Sequence, residues 1–162
     1  MTDVMLIYLF PETLPKGVKT LKLPCEVAVK SVVPAIRALL ARELTENYGM
    51  KQGDAADLLG ITQTAVSKYI HRVRGSVLSI GGEKEVKTLI MKTAASLADG
   101  NFERPFLALQ ICTTCSIVRK KRLMCRLCKR TDPALDIEQC KLCFLSACDH
   151  RFRQQVPLKE KR

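Results

Sequence analysis

The sequence predicts a mainly α-helical chain that carries a small cysteine-rich module towards its C-terminal end. Hydrophobic residues make up 47% of the 162 residues, enough for a core, while aromatic residues make up only 5% and Trp is absent. A composition rich in Leu, Ala and Val favours packed helices over a large β-sandwich. Eight cysteines, six of them in three Cys-x-x-Cys pairs, mark the second part. We therefore expect a lead-in over residues 1–24, a helical domain over 25–120, and a cysteine-rich, metal-binding module with a basic tail over 121–162.

The N-terminal part of the chain begins irregularly and then becomes helical. An apolar run followed by several prolines in residues 1–24 predicts a strand-like or irregular segment that packs on the body or on a second copy. A helical repeat of apolar residues follows over 25–48. Pro34 is expected to start or kink the main helix, because it supplies no backbone N–H. The residues expected on one face of this helix are Ile36, Leu39, Leu40, Leu44 and Tyr48.

Four further helices are predicted before the cysteine-rich module. Two are short and lie at about 51–59 and 63–71, and two are longer and fit 83–99 and 105–120. Beyond Lys121 the helical periodicity gives way to cysteine knuckles and loops. The residues expected to face inward from the longer helices are Val86, Leu89, Ile90, Ala94, Leu97, Leu107, Ile111, Cys115 and Val118.

The two short helices carry the packing pattern of a helix-turn-helix that binds DNA. Ala56 is small where the helices would cross, Gly60 can take the positive φ of the turn, and Thr62 can cap the second helix. The apolar residues expected to hold the helices together are Ile61, Val66 and Tyr69. An ordinary helical hairpin can have the same spacing, but polar residues at each expected contact position favour DNA binding. The residues predicted to contact bases or phosphates are Thr62, Gln63, Thr64, Ser67, Lys68, His71, Arg72, Arg74, Arg119, Lys120, Lys121 and Arg122.

The charge of the chain predicts a polyanionic partner. The formal net charge is +11 and the pI is about 9.5. Residues 112–162 hold 13 Lys and Arg against 5 Asp and Glu, a net +8. The run RKKR at 119–122 is interpreted either as a solvated helix end that complements the helix dipole or as a clamp for phosphates. Since no apolar run approaches the roughly 18 residues of a membrane span and no signal peptide is recognisable, we expect a cytoplasmic protein without a membrane partner.

Residues 24–75 resemble a known family. The opening Pro-Cys-Glu, the stretch PAIRALLARELTENYG and the stretch AADLLGITQTAVSKYI look like archaeal predicted transcription regulators with a Cro/repressor-like, XRE-type helix-turn-helix. The likeness continues through the 83–99 helix to ICTTCSIVR and covers about 95 residues. The resemblance implies a five-helix DNA-binding domain that is dimeric on a two-fold operator. The long cysteine-rich extension after Cys115 departs from the simplest pattern of that family.

Three Cys-x-x-Cys pairs within 32 residues predict metal binding, because two thiolates two residues apart can grip one tetrahedral metal. The first predicted site consists of Cys125, Cys128, Cys140 and Cys143, whose two pairs stand in short knuckles separated by an 11-residue spacer. Tetrathiolate ligation with no open position favours structural zinc. An iron–sulfur cluster takes the same ligands and is the competing interpretation.

A second predicted site is less constrained by the sequence. Cys112 and Cys115 lie one turn apart on a predicted helix, and Cys25 could meet them if the last helix packs on the first. Cys148 would be the fourth ligand, with His150 as the alternative. An iron–sulfur cluster, a second zinc ion and free or redox-active thiols remain open here, and Cys25 alone could be a small buried hydrophobic residue.

Together these patterns predict a sequence-specific DNA-binding transcription regulator, not an enzyme. It would act on double-stranded DNA as a homodimer, with a C-terminal module that holds zinc or an iron–sulfur cluster and responds to metal or redox state. The alternative is a zinc-ribbon-like RNA-binding or scaffold protein, in which the helix-turn-helix is only a packing unit. A thiol-disulfide enzyme that uses Cys112 and Cys115 is disfavoured, since the chain shows no βαβ pattern.

Overall fold

The computed structural model describes residues 23–100 and 103–145. These residues form seven α-helices and one π-helical turn, with no β-strand among them. The mainly α-helical class is therefore confirmed for the described part of the chain. The expected lead-in up to residue 22, Cys148, His150 and the basic tail lie outside the described residues.

The longest helix, α1, spans Pro24–Arg42 and continues into the π-helical turn Glu43–Asn47. Pro24 suits the first turn of a helix, and the carboxylate of Glu26 accepts a hydrogen bond from the backbone N–H of Leu23 at 2.9 Å. Pro34 lies inside α1, so the prediction that it starts the helix is wrong. The helix begins ten residues earlier, and its buried face packs on both sides of the proline.

The remaining helices lie close to the predicted positions up to residue 120. The two short ones are α2 (Gln52–Leu59) and α3 (Gln63–Ile70), and the longer ones are α4 (Lys84–Ala98) and α5 (Arg104–Lys120). Pro105 occupies the first turn of α5, where its missing N–H costs no helical hydrogen bond.

The cysteine-rich part contains two further helices, α6 (Cys125–Thr131) and α7 (Leu142–Leu145). The prediction of loops beyond Lys121 is therefore wrong at these positions. Cys125 and Cys128 stand on the first turn of α6, and the spacing of two residues that suggested a knuckle equally fits one helical turn.

Helix α1 is the centre of the molecule. It contacts α2, α3, α4, α5 and α6, and α7 packs on α5. Tyr48, which was expected on the buried face of α1, is 42% exposed because the helix has ended before it. The large apolar side chains that are fully buried are Val32, Ile36, Leu40, Leu44, Val66, Ile80, Val86, Leu97, Val118 and Met124. None of the described helices is long and apolar enough to cross a lipid bilayer.

Candidate nucleic-acid interface and cysteine cluster

The segment from α2 to α3 forms a tight helix–turn–helix. Gly60 ends α2 with φ +61, and the backbone N–H of Ile61 donates to the carbonyl of Ala56 at 3.0 Å. The hydroxyl of Thr62 then accepts a hydrogen bond from the backbone N–H of Ala65 at 3.2 Å, so that α3 begins with a side-chain cap. The positive φ of Gly60 and the Thr62 cap were both predicted from the sequence, since each depends on a residue within the segment itself.

Helix α3 buries one side and presents the other to solvent. Val66 and Tyr69 are buried against α1 and α2, and Ile61 is partly buried beside them. The side chain of Arg42 on α1 donates to the carbonyl of Tyr69 at 3.3 Å, which holds the C-terminal end of α3. The exposed residues among those predicted to contact DNA in this segment are Thr62, Gln63, Thr64, Lys68, His71, Arg72 and Arg74, whereas Ser67 is half-buried.

The chain leaves α3 through an unusual backbone conformation. Arg72 has φ +57, in the left-handed region that non-glycine residues rarely adopt, and the backbone N–H groups of Val73 and Arg74 both donate to the carbonyl of Lys68, at 2.9 and 3.1 Å. This closure turns the chain sharply away from the helix and leaves the side chains of Arg72 and Arg74 exposed beside its end.

The basic run 119–122 does not form a uniform phosphate-binding surface. Arg119 is only 4% exposed, which contradicts the prediction that it contacts phosphate. Its Nη1 atom lies 3.6 Å from Sγ of Cys25, and it also forms a hydrogen bond with Cys143. Burial alone would lower the pKa of Arg119, but the Cys143 hydrogen bond and the negative charge on Cys25, Cys143 and Cys115 outweigh burial and raise this pKa.

The next basic residues are engaged with acidic and backbone groups. Nζ of Lys121 lies 2.6 Å from a carboxylate oxygen of Glu83 and 3.0 Å from one of Glu85, so it joins the end of α5 to the start of α4. The Lys121 ammonium lowers the pKa of Glu83, chiefly through their hydrogen bond. Arg122 donates to the carbonyl of Ile137 and lies 3.9 Å from a carboxylate oxygen of Glu138. These pairs hold the run against the protein, while Lys120 is half-buried and also has an interaction partner.

The four cysteines of the first predicted metal site line one small cavity. Cys125 and Cys128 reach it from α6, and Cys140 and Cys143 reach it from the start of α7 and the residues before it. Pro24 and Val27 of α1 close the other side, so the cysteines sit on the first turns of the central helix. The volume of the cavity is about 30 Å³, close to that of one water molecule.

The thiols in this cavity affect one another electrostatically. Burial, together with the negative charge of Cys143, Cys125 and Cys140, raises the pKa of Cys128 to about 11. A positive ion among these sulfur atoms would relieve this repulsion. As the side chains stand, however, no three His, Cys, Asp or Glu residues among the described ones are arranged to hold a metal ion. The cysteines therefore share a cavity without converging on one point.

The buried Arg119 side chain lies among cysteines of the second predicted site. Cys25 and Cys115 both lie close enough to Arg119 to act on its charge, together with Cys143. Cys112 is exposed on α5, and Cys148 lies outside the described residues. The grouping found is thus three cysteines around a guanidinium, contributed by α1, α5 and α7.

Sequence reasoning missed the inward role of Arg119 because a run of four basic residues suggests a surface. A signal was present, since Arg119 stands four residues after Cys115 and one after Val118, on the side of α5 expected to face inward. Arg42 was missed as well, because its position on the helical wheel indicated only a polar face.

The comparisons with known proteins return no relative. No protein-family model matches the chain, and neither a curated protein nor a solved structure is similar to it.

Proposed function

We propose that the protein is a sequence-specific DNA-binding transcription regulator whose reading element is α3. The observation that carries the proposal is the row of exposed polar side chains on the outer side of this helix, where Gln63, Thr64 and Lys68 lie opposite the buried Val66 and Tyr69. Side chains of this kind can hydrogen-bond base edges in a major groove. A homodimer on a two-fold operator is part of the proposal, because a single short helix contacts few base pairs.

Two further features support this function. The exposed Arg72 and Arg74 follow directly on α3, at the place where the DNA backbone would pass if the helix entered the groove. The net charge of +11 supplies the attraction to phosphate that all DNA binding requires. Because Arg119 is buried and Lys121 and Arg122 are held by neighbouring groups, we assign the phosphate contacts to the residues after α3.

The test is selection of a preferred sequence from random duplex DNA, followed by a double substitution on α3. Gln63→Ala with Lys68→Ala should weaken binding to the selected sequence by roughly 10- to 100-fold per lost base contact, while salt-dependent binding to other DNA remains. The matched control is Lys87→Ala with Lys92→Ala, two exposed lysines on α4. We expect the control to keep the sequence preference.

The proposal is wrong if the α3 double variant retains its preference for the selected sequence. Binding of RNA at least as tightly as duplex DNA, unaffected by the α3 substitutions, would instead favour an RNA-binding or scaffold protein.

We also propose that Cys125, Cys128, Cys140 and Cys143 hold one metal ion, with zinc favoured and an iron–sulfur cluster as the competitor. The support is that all four thiols line one cavity, where burial first and the three neighbouring cysteines second raise the pKa of Cys128. A tetrathiolate-bound zinc would supply a structural cross-link between the two cysteine pairs. We do not extend the proposal to Cys25 and Cys115, because the Arg119 guanidinium already provides positive charge beside them.

Anaerobic purification with metal quantification tests this second proposal. We expect one zinc per chain in the unaltered protein and loss of that zinc on Cys128→Ser, with zinc retained on Cys112→Ser, the exposed control. A brown protein with stoichiometric iron would identify a cluster instead. Metal-free protein that takes up neither zinc nor iron on reconstitution would contradict metal binding at these cysteines.

A further inference from the structure

An open cavity lies beside the end of α3, away from the cysteines. It is bordered by α1 on one side and by residues 72–82, which connect α3 to α4, on the other. Its volume is about 330 Å³, at the lower end of the range of about 300–1,000 Å³ that is typical of small-molecule sites.

The lining of this cavity is strongly positive. Arg42 contributes from α1, and Arg72 and Arg74 contribute from the connection. No Asp or Glu is among the described residues that line the cavity. The hydroxyls of Ser76 and Ser79 add donors that need no charge partner. Three guanidinium groups without a carboxylate would repel one another unless an anion lies between them.

The walls are held in place by close packing. Gly75 has φ +77, and a Cβ atom at this residue would lie 2.6 Å from the carbonyl oxygen of Pro34 and 2.7 Å from Cβ of Ala38. A Cβ at Gly81 would lie 3.1 Å from a methyl group of Leu39. Ile80 is buried in the core between them. The connection is therefore pinned to α1 near both of its ends, and the cavity is formed before any ligand arrives.

The connection also has unused backbone donors. Within the described part of the chain, the backbone N–H groups of residues 75–82 donate to no backbone carbonyl. Such groups next to guanidinium side chains are the donors that bind phosphoryl oxygens.

We propose that this cavity binds a small, free phosphate-bearing anion. A free anion fits better than a DNA phosphate because Arg42 is only partly exposed and is held on α1 by its hydrogen bond to the carbonyl of Tyr69. The rod-like DNA backbone would contact the exposed Arg72 and Arg74 but not a half-buried guanidinium between a helix and a loop. Binding of the anion does not depend on the DNA-binding function. The effect of the anion on DNA binding rests on the proposed function, because an anion that occupies Arg72 and Arg74 would compete with DNA phosphates.

The conformation of Arg72 permits a discriminating substitution. Its φ of +57 is unfavourable for any residue with a Cβ and free of strain for glycine. Arg72→Gly therefore removes the guanidinium while making the backbone more stable, so that a loss of binding cannot be attributed to unfolding. Arg42→Gln and Arg74→Gln remove the other two charges.

The experiment is equilibrium dialysis of the full-length protein against inorganic pyrophosphate, without DNA. We expect saturable binding that weakens by about 10-fold or more in each of the three arginine variants, since each loses charge-assisted hydrogen bonds. The control Lys87→Gln, an exposed charge on α4, should bind pyrophosphate within about twofold of the unaltered protein. Thermal unfolding should show Arg72→Gly to be at least as stable as the unaltered protein.

The remaining outcomes overturn the proposal. Absence of saturable pyrophosphate binding would overturn it, as would equal losses in the arginine variants and the lysine control. If the arginine variants lose affinity for duplex DNA while pyrophosphate neither binds nor competes, the cavity serves the DNA backbone and the proposed free anion is wrong. The α3 double variant separates the two functions, because it should lose its DNA sequence preference and still bind pyrophosphate.

Discussion

Two regions of this protein carry the residues that could bind a ligand, namely the exposed polar side chains around α3 and the cysteines. The two regions are built in different ways. The reader segment, residues 52–74, takes its turn and the start of α3 from contacts within itself, namely the Gly60 turn and the Thr62 cap, and packs on α1 through the buried Val66 and Tyr69. The cysteine segment, residues 125–143, is organised by contacts with distant residues, as Cys143 meets Arg119, which in turn meets Cys25 on α1. The reader segment points its polar residues outward, and the cysteine segment points its cysteines towards the body.

The comparison shows that arginine side chains in one chain can have different roles. Arg74 is exposed at the end of the reader segment, while Arg119 is buried among thiols although it begins a run of four basic residues. The run of four basic residues does not reveal this difference, whereas the position of Arg119 four residues after Cys115, on the inward side of α5, does. Their roles follow from their positions, since Arg119 lies on the side of α5 that meets Cys25 of α1, whereas Arg74 lies in the connection after α3.

The largest effect is expected where the reader segment is joined to the body. Gly75→Ala should lower the free energy of unfolding by about 3 kcal/mol, because alanine is strained at this φ and its Cβ would collide with the backbone of Pro34. The matched control is Gly53→Ala in α2, where a Cβ meets none of the described atoms within 4 Å. That substitution should raise stability by roughly 0.5–1 kcal/mol, as alanine favours a helix over glycine. Urea unfolding of both variants measures the difference, and equal effects would show that the close approach to α1 is absent.

A smaller effect is expected for the long-range link of the cysteine segment. Arg119→Ala should cost about 2 kcal/mol, since it leaves a buried gap and removes the hydrogen bonds to Cys25 and Cys143. The exposed Arg130, replaced by Ala, is the control and should change stability by less than about 0.5 kcal/mol. Urea unfolding again provides the measurement. Similar values for the two arginines would mean that the cysteine segment does not depend on this link.

The smallest effect is expected for the local cap of the reader segment. Thr62→Ala should cost about 1 kcal/mol, because the backbone N–H of Ala65 loses its partner. Thr88→Ala is the control, since the Thr88 hydroxyl donates to the carbonyl of Lys84 within α4 and caps no backbone N–H, so alanine replaces it without loss. Chemical unfolding should show a shift only for Thr62→Ala. If Thr88→Ala costs as much, the cap is not what starts α3.

The sequence predicted the fold well wherever periodicity and turn residues act locally. The bounds of α4 and α5 and the turn of the reader segment agree with the helical patterns and glycine positions. The expectation that the main helix starts at Pro34 failed, because the packing of α1 on both sides of the proline outweighs the loss of one helical hydrogen bond. Prediction failed again at α6, because a spacing of two residues between cysteines is compatible with both a knuckle and a helical turn.

By itself the sequence determined the helical class and the polar outer side of α3, because each depends on spacing along a short stretch of chain. Only the tertiary structure decided that Arg119 meets Cys25 and Cys143 and that Arg42 lies with Arg72 and Arg74 around one cavity. Packing on α1 brings together residues that are 30 to 94 positions apart in the sequence. No sequence pattern within a single helix indicates which of these residues will be in contact.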